Sequence, residues 1–225
     1  MLAHNQIAMK SIVENLNSNI AKLIATTYVA LFMSALSSFS QPIISVARAD
    51  YDKGISAAKQ GDYSAAFEEW SISAKNGHPK AQYNLGVLFE NGLGTELDLL
   101  QAAKWYIVAA ERDYAPAQYN LAVLYHKGAG VPHSKTSAMK WYRKAALQLD
   151  ELAMYAIGQM HINGEGTPRN LVEGYKWFYL SANLGQPDAS GALEAISPLM
   201  KTTETEMATR MAKEWLAIVG QGADQ

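Results

Sequence analysis

Five tryptophans stand at Trp70, Trp105, Trp141, Trp177 and Trp215, and the middle three are 36 residues apart. Ala81, Ala117, Ala153 and Ala189 keep the same step, as do Leu85, Leu121, Ile157 and Leu193. So do Gly92, Gly128 and Gly164, and Gly94, Gly130 and Gly166. The aromatic after each central tryptophan recurs as Tyr106, Tyr142 and Phe178, and the small pair Ala109-Ala110 as Ala145-Ala146 and Ser181-Ala182. A fixed period of this length marks a repeat architecture. Each unit is one supersecondary piece that buries its apolar face only by stacking on its neighbours.

The unit reads as two helices. Ala81, Leu85, Leu88 and Phe89 fall at i, i+4, i+7 and i+8, one face of a helix A. Pro79 and Pro187 suit a first helical turn, and the Gly-x-Gly supplies the left-handed residue that stops helix A. Helix B opens at Asp98, Ser134 and Asn170, again in register and all N-cap types. Gln101 and Glu173, three residues on, can complete capping boxes. Ala102, Trp105, Tyr106 and Ala109 form the apolar face of helix B, and Gly77 and Gly185 suit its end. This predicts helix pairs near 51–76, 79–112, 115–149 and 151–184, then helices near 188–197 and 204–219. Trp105, Trp141 and Trp177 are expected in the core between repeats. In the first, shorter hairpin Ala66 and Trp70 are in register with Ala102 and Tyr106. The last helix is expected to open on a Thr203/Glu206 capping box and to cover the array with Met207, Met211 and Trp215.

Ala81-Gln82-Tyr83-Asn84-Leu85-Gly86, the Gly-x-Gly loop and Lys104-Trp105-Tyr106 with Ala109-Ala110 resemble the Sel-one-like repeat, a relative of the tetratricopeptide repeat. The resemblance covers repeats at 78–113, 114–149 and 150–185, a partial repeat at 51–77 and a C-terminal capping region at 186–220. Ala122 departs from the motif's glycine and Gly174 from its usual alanine. The resemblance implies an all-α fold, a right-handed α/α superhelix of stacked hairpins. It also implies a protein-interaction scaffold of a kind common in exported bacterial proteins.

The first fifty residues are built differently. Lys10 and Lys22 flank a polar start, an apolar run follows from Leu23 to Leu36, and Ala47-Arg48-Ala49 closes the stretch. That is the order of a secretory signal with an Ala-x-Ala cleavage site. Residues 1–49 are therefore expected to be a signal peptide, and 50–225 the mature solenoid, periplasmic or secreted. The alternative is an uncleaved membrane anchor, although the run is short of the roughly 20 apolar residues that span a bilayer. The chain has no cysteine, which excludes disulfides, thiolate metal sites and a cysteine nucleophile. Its net charge of −2 gives no field for nucleic acid.

Chemistry-bearing patterns are sparse. The glycine loops follow a helix and not a strand, so they read as helix ends and not as a phosphate cradle. His126 and His133 are seven apart across such a loop, with no His-x-x-x-His and no carboxylate cluster, so no metal is expected. His161 takes the slot of Phe89 and Tyr125 and should pack as an aromatic would. Ser56-x-x-Lys59 and Ser137-x-x-Lys140 lack the companion motifs of a serine–lysine enzyme. No catalytic residue and no cofactor are expected.

The function that follows is a non-enzymatic, monomeric scaffold for a protein or peptide partner. The alternatives are a hydrolase of cell-envelope polymer or its accessory, and a membrane-tethered assembly factor. On helix A, Tyr83 lies about 200° from Ala81 and points away from the core, and Tyr119 and Tyr155 repeat it. Val87, Glu90 and Asn91 continue that side, with His126 and Lys127, then Gln159 and Asn163, further on. By similarity to tetratricopeptide repeats this side lines a concave groove. The tyrosines can equally serve to pack neighbouring helices, which makes Glu90, His126, Lys127 and Gln159 the better candidates for specificity.

Overall fold

A computed structural model describes residue 48 and residues 50–222. The expected leader, Arg48 apart, lies outside the described residues. Helix α1 runs through 50–59. It is followed by α2 (Tyr63–Lys75), α3 (Pro79–Asn91), α4 (Leu99–Ala110), α5 (Ala115–Lys127) and α6 (Lys135–Ala146). Then come α7 (Glu151–Asn163), α8 (Leu171–Asn183), α9 (Pro187–Ile196), a 3-10 turn (Ser197–Leu199) and α10 (Thr202–Gly222). There is no strand among the described residues. From α2 to α9 each helix packs on the next in sequence, so the hairpins stack in chain order as the period requires.

The helix starts are set by the residues that the register singles out. Asp98, Ser134 and Asn170 accept the N–H groups of Gln101, Ser137 and Glu173 at 3.0, 3.1 and 3.1 Å. The reciprocal half of a capping box is absent, for a physical reason. The backbone N–H groups of Asp98, Ser134 and Asn170 already donate to the carbonyls of Phe89, Tyr125 and His161, at 2.9 Å each. These bonds tie the start of helix B to the end of helix A and leave Gln101 and Glu173 nothing to satisfy. Glu173 instead takes Lys176 at 2.8 Å.

The core is a stack of three clusters. Ala66, Trp70, Ala81 and Leu85 belong to the first; Ala102, Tyr106, Ala117 and Leu121 to the second; Ala138, Tyr142, Ala153 and Ile157 to the third. The three tryptophans do not share one environment. Trp177 is buried, but Trp105 and Trp141 are only half-buried, with the Lys144 ammonium 4.7 Å over the Trp141 ring. The fully enclosed ring of each unit is the next residue, Tyr106, Tyr142 or Phe178. Small residues make room for it: a Cβ on Gly86 would lie 2.5 Å from Tyr106, and one on Gly158 2.6 Å from Phe178. His161 is buried as expected, with both ring nitrogens unpartnered.

The closing helix differs in detail from its sequence reading. α10 docks on α8, but through Ala208 and Ala212, with Trp215 meeting Trp177 edge-on at 5.3 Å, while Met207 is exposed. Its start lies two residues earlier, at Thr202, where Glu204 reaches back to the Lys201 N–H at 2.8 Å, in place of the Thr203/Glu206 box. Two alanines let α10 approach α8 more closely than a row of methionines would. The rotation of the face follows from that.

Candidate functional site

The face carrying Tyr83, Tyr119 and Tyr155 is built from the A helices α3, α5 and α7. Each tyrosine is half-buried and leans on the enclosed ring of its own unit. Ring centroids are 5.7 Å apart for Tyr83 and Tyr106, 5.7 Å for Tyr119 and Tyr142, and 5.2 Å for Tyr155 and Phe178. Tyr83 also meets Tyr114 edge-on at 5.4 Å, and Tyr51 stacks on His78 at 4.5 Å in the corresponding place of the first hairpin. Burial pushes the Tyr83 and Tyr119 hydroxyls up from their ordinary range. Packing is therefore part of what these rings do.

The polar candidates divide into engaged and free. Glu90 accepts the Tyr106 hydroxyl at 2.6 Å, and Asn120 donates to the same hydroxyl at 3.0 Å. Burial and the Glu90 bond together hold the Tyr106 proton far above the usual phenol range. Val87 is half-buried against the second core cluster. His126 Nε2 lies 2.6 Å from Glu165 Oε2, and Lys135 Nζ 3.4 Å from Glu165 Oε1. The His126 hydrogen bond and then Lys135 hold the Glu165 carboxyl below its ordinary range. This cluster joins one repeat to the next loop, so His126 has a structural engagement of its own. Asn91, Lys127 and Asn163, in 36-residue register, are all exposed, as is Gln159. Asn91 donates only to the Val87 carbonyl of its own helix, at 2.8 Å.

At the end of the row Tyr155, Gln159 and Asn163 converge on a cleft of about 230 Å³ between α7 and α9. Phe178, Ala192, Ala195 and Ile196 complete its lining. Of the sequence candidates, the structure thus brings these three together and leaves Asn91 and Lys127 further along the same face. Asn120 was not among the candidates, nor were the α9 alanines. The available signal was a break in register, Asn120 to Ala192 and Tyr106 to Phe178.

The remaining polar groups serve the scaffold. Gln82 and Gln118 are buried and donate to the carbonyls of Ala74 and Ala110, both at 3.1 Å, tying helix A to the preceding helix B. The Ser56 hydroxyl donates to the Asp52 carbonyl at 3.1 Å, and the Ser137 hydroxyl takes a bond from Ser134 at 2.9 Å. Neither serine is joined to a lysine. Among the described residues, no group of three His, Cys, Asp or Glu could hold a metal ion, and no helix is long and apolar enough to cross a membrane.

Stacked antiparallel helix pairs with a face of repeating side chains define an α-solenoid of the tetratricopeptide-like class. Residues 79–114, 115–148 and 152–186 match the Sel1 repeat, so the chain carries three Sel1 repeats. A Sel1 repeat protein from Oxalobacter formigenes has a similar structure, with TM-score 0.62 and 34% identity, over 65% of this chain and 60% of that one. So has c5321, a protective antigen of uropathogenic Escherichia coli with an SLR fold, at TM-score 0.67 and 28% identity, over 83% of this chain and 41% of that one. The rat protein DAP3-binding cell death enhancer 1 is 46% identical over 59 residues, 26% of this chain and 12% of its own length. The chain spans less than two thirds of each of these relatives. Sel1-repeat proteins generally act as protein-interaction scaffolds, without catalysis of their own.

Proposed function

We propose that the chain is an exported scaffold, periplasmic or secreted after cleavage at Ala49, which holds a protein or peptide partner along its helix-A face. It works as a monomer and catalyses nothing itself. The observation that carries the reading is the exposed series Asn91, Lys127 and Asn163, one per repeat, beside a rigid row of tyrosines. Fixed aromatic rings offer contact area at low entropy cost, and the polar side chains that change from repeat to repeat supply discrimination.

The test begins with crosslinking in intact cells and identification of the captured protein. Joint replacement of Asn91 and Lys127 by alanine should then weaken binding tenfold or more. Glu68 and Lys104, exposed on the B helices, should tolerate the same change. The opposite ranking would defeat the helix-A reading. Protein recovered from its native envelope should begin at Asp50; a start at Met1 or Met9 in the membrane fraction would favour the anchor.

A further inference from the structure

The three places where an enclosed ring meets the following helix A are built to one plan, yet they are filled differently. In the first, the Tyr106 hydroxyl is clamped between Glu90 and Asn120, at 2.6 and 3.0 Å, and Asn120 also bonds to Tyr83. Val123 stands beside Asn120 on α5. In the third, the ring is Phe178, which has no hydroxyl, and the counterparts of Asn120 and Val123 are Ala192 and Ala195. The atoms that fill the first notch are missing from the third, and the cleft of about 230 Å³ lies there.

Its chemistry is specific. Phe178 and Ile196 are nearly fully buried and form an apolar floor, with Ile162 on the wall. Tyr155, Gln159 and Asn163 follow at i, i+4 and i+8 along α7 and so share one side of the opening. Gln159 and Asn163 are exposed, and neither amide is held by another described group. Each amide carries both donors and an acceptor, the complement of a peptide unit. No charged side chain lines the cleft, whereas the first notch holds Glu90 and the second has His126 and Lys127 beside it. A cavity this size is below that of a drug-sized site and fits one side chain. An ion entering it would be desolvated without a counter-charge.

We propose that this cleft is a specificity subsite for one uncharged aliphatic side chain of an extended peptide, whose adjoining main chain is hydrogen-bonded by Gln159 and Asn163. The inference rests on the helix-A face being the binding face, and it names what that face selects.

The test is selection of a random heptapeptide phage library on the protein, followed by affinity measurement with the synthetic peptides obtained. The selected sequences should share one Leu, Ile, Val or Met. Ala195→Leu, which fills the cleft, should weaken their binding at least tenfold while leaving the melting temperature unchanged or higher. The pair Phe178→Tyr and Ala192→Asn, which restores the ring hydroxyl and the amide of the first notch, should also weaken their binding. Peptides without a shared apolar residue, or peptides that bind Ala195→Leu as well as the parent protein, would overturn the subsite. If their binding still depended on Asn91 and Lys127, the groove would stand and only the subsite would fall. Selection of no peptide above background would remove both.

Discussion

Every unit of the array makes two turns, and the two are closed by the same hydrogen bonds yet filled by different residues. At the B-to-A turn the N–H groups of His78, Tyr114, Asp150 and Gln186 reach back five residues to a carbonyl, at 3.1–3.2 Å. The residue before each of these has positive φ: Gly77, Asp113, Leu149 and Gly185. At the A-to-B turn the N–H groups of Leu93, Ala129 and Glu165 make the equivalent bond at 2.8–3.0 Å, and the left-handed residue is always glycine. Both are Schellman-type endings. The difference is in what stands nearby. The second glycine of each A-to-B loop lies against the preceding helix B: a Cβ on Gly130 would come within 2.0 Å of the Leu99 carbonyl oxygen, and one on Gly94 within 2.2 Å of that of Tyr63. That turn excludes a side chain altogether, because backbone packs on backbone between successive repeats. The B-to-A turn meets no backbone: a Cβ on Gly185 would touch nothing and one on Gly77 only the end of the Arg112 side chain, so a non-glycine residue there bears mainly a strain of about 1–2 kcal/mol.

The largest expected effect separates these two costs. Gly130→Ala should destabilise the protein by about 4 kcal/mol, through backbone collision added to left-handed strain. Gly185→Ala, at the last B-to-A turn with φ +97° and nothing near its Cβ, should cost only about 1–2 kcal/mol. Denaturant unfolding of the two variants checks this. Equal losses would mean that conformation alone fixes both turns and that the loop contact between repeats contributes nothing.

A smaller effect reaches both turns through pH. The carbonyl of His161 accepts the Asn170 N–H that opens α8, and its buried ring faces Glu173, Arg143 and Lys176. His78 Nδ1 accepts the Ala81 N–H at 3.3 Å at the B-to-A turn. Desolvation lowers the pKa of both below the ordinary 6.5. The unfolded chain therefore binds more protons than the folded one in the window below pH 6.5. The stability these rings contribute is complete above that pH and is lost as pH falls. His161→Phe should flatten the fall in melting temperature between pH 7.5 and 5.5 and so isolate the A-to-B side. His78→Asn, a cap that does not titrate, should remove the B-to-A share. A pH profile untouched by either change would mean that neither ring is held neutral by the fold.

The contrast also explains what the sequence could and could not convey. The period, the helix pairs, the glycine stops and the N-caps at Asp98, Ser134 and Asn170 were legible, because local geometry alone demands those residue types. The B-to-A stops at Asp113 and Leu149 were not, since a strained residue leaves no compositional mark. Nor was the burial of Tyr106 over Trp105, because both lie on the apolar side of helix B and only the partner helix, with Gly86 opposite, decides between them. The register placed Tyr83, Tyr119 and Tyr155 on one face. It gave no warning that Glu90 and His126 are engaged with Tyr106 and Glu165, because both contacts join side chains far apart in the chain. The cleft at Phe178 was written in the sequence only as substitutions against the repeat, and these acquire meaning once the filled first notch is seen beside it.

The smallest effect tests whether the B-to-A turn is limited by conformation alone. Leu149 has φ 63° and its side chain is exposed, so its apolar atoms gain little from the fold. Leu149→Gly relieves the left-handed strain of about 1–2 kcal/mol. It also gives the unfolded chain more freedom, which costs about 0.5–1 kcal/mol. The net should be a gain of about 0.5 kcal/mol, visible as a small rise in melting temperature. Asp113, at φ 57°, differs twice over: its short polar side chain suits the left-handed region, and its Oδ1 accepts the Gln118 amide at 3.3 Å. Asp113→Gly should therefore bring no gain and a slight loss. If Leu149→Gly were instead destabilising, the leucine would hold contacts that outweigh its strain, and this turn would be fixed by packing, as the A-to-B loop is.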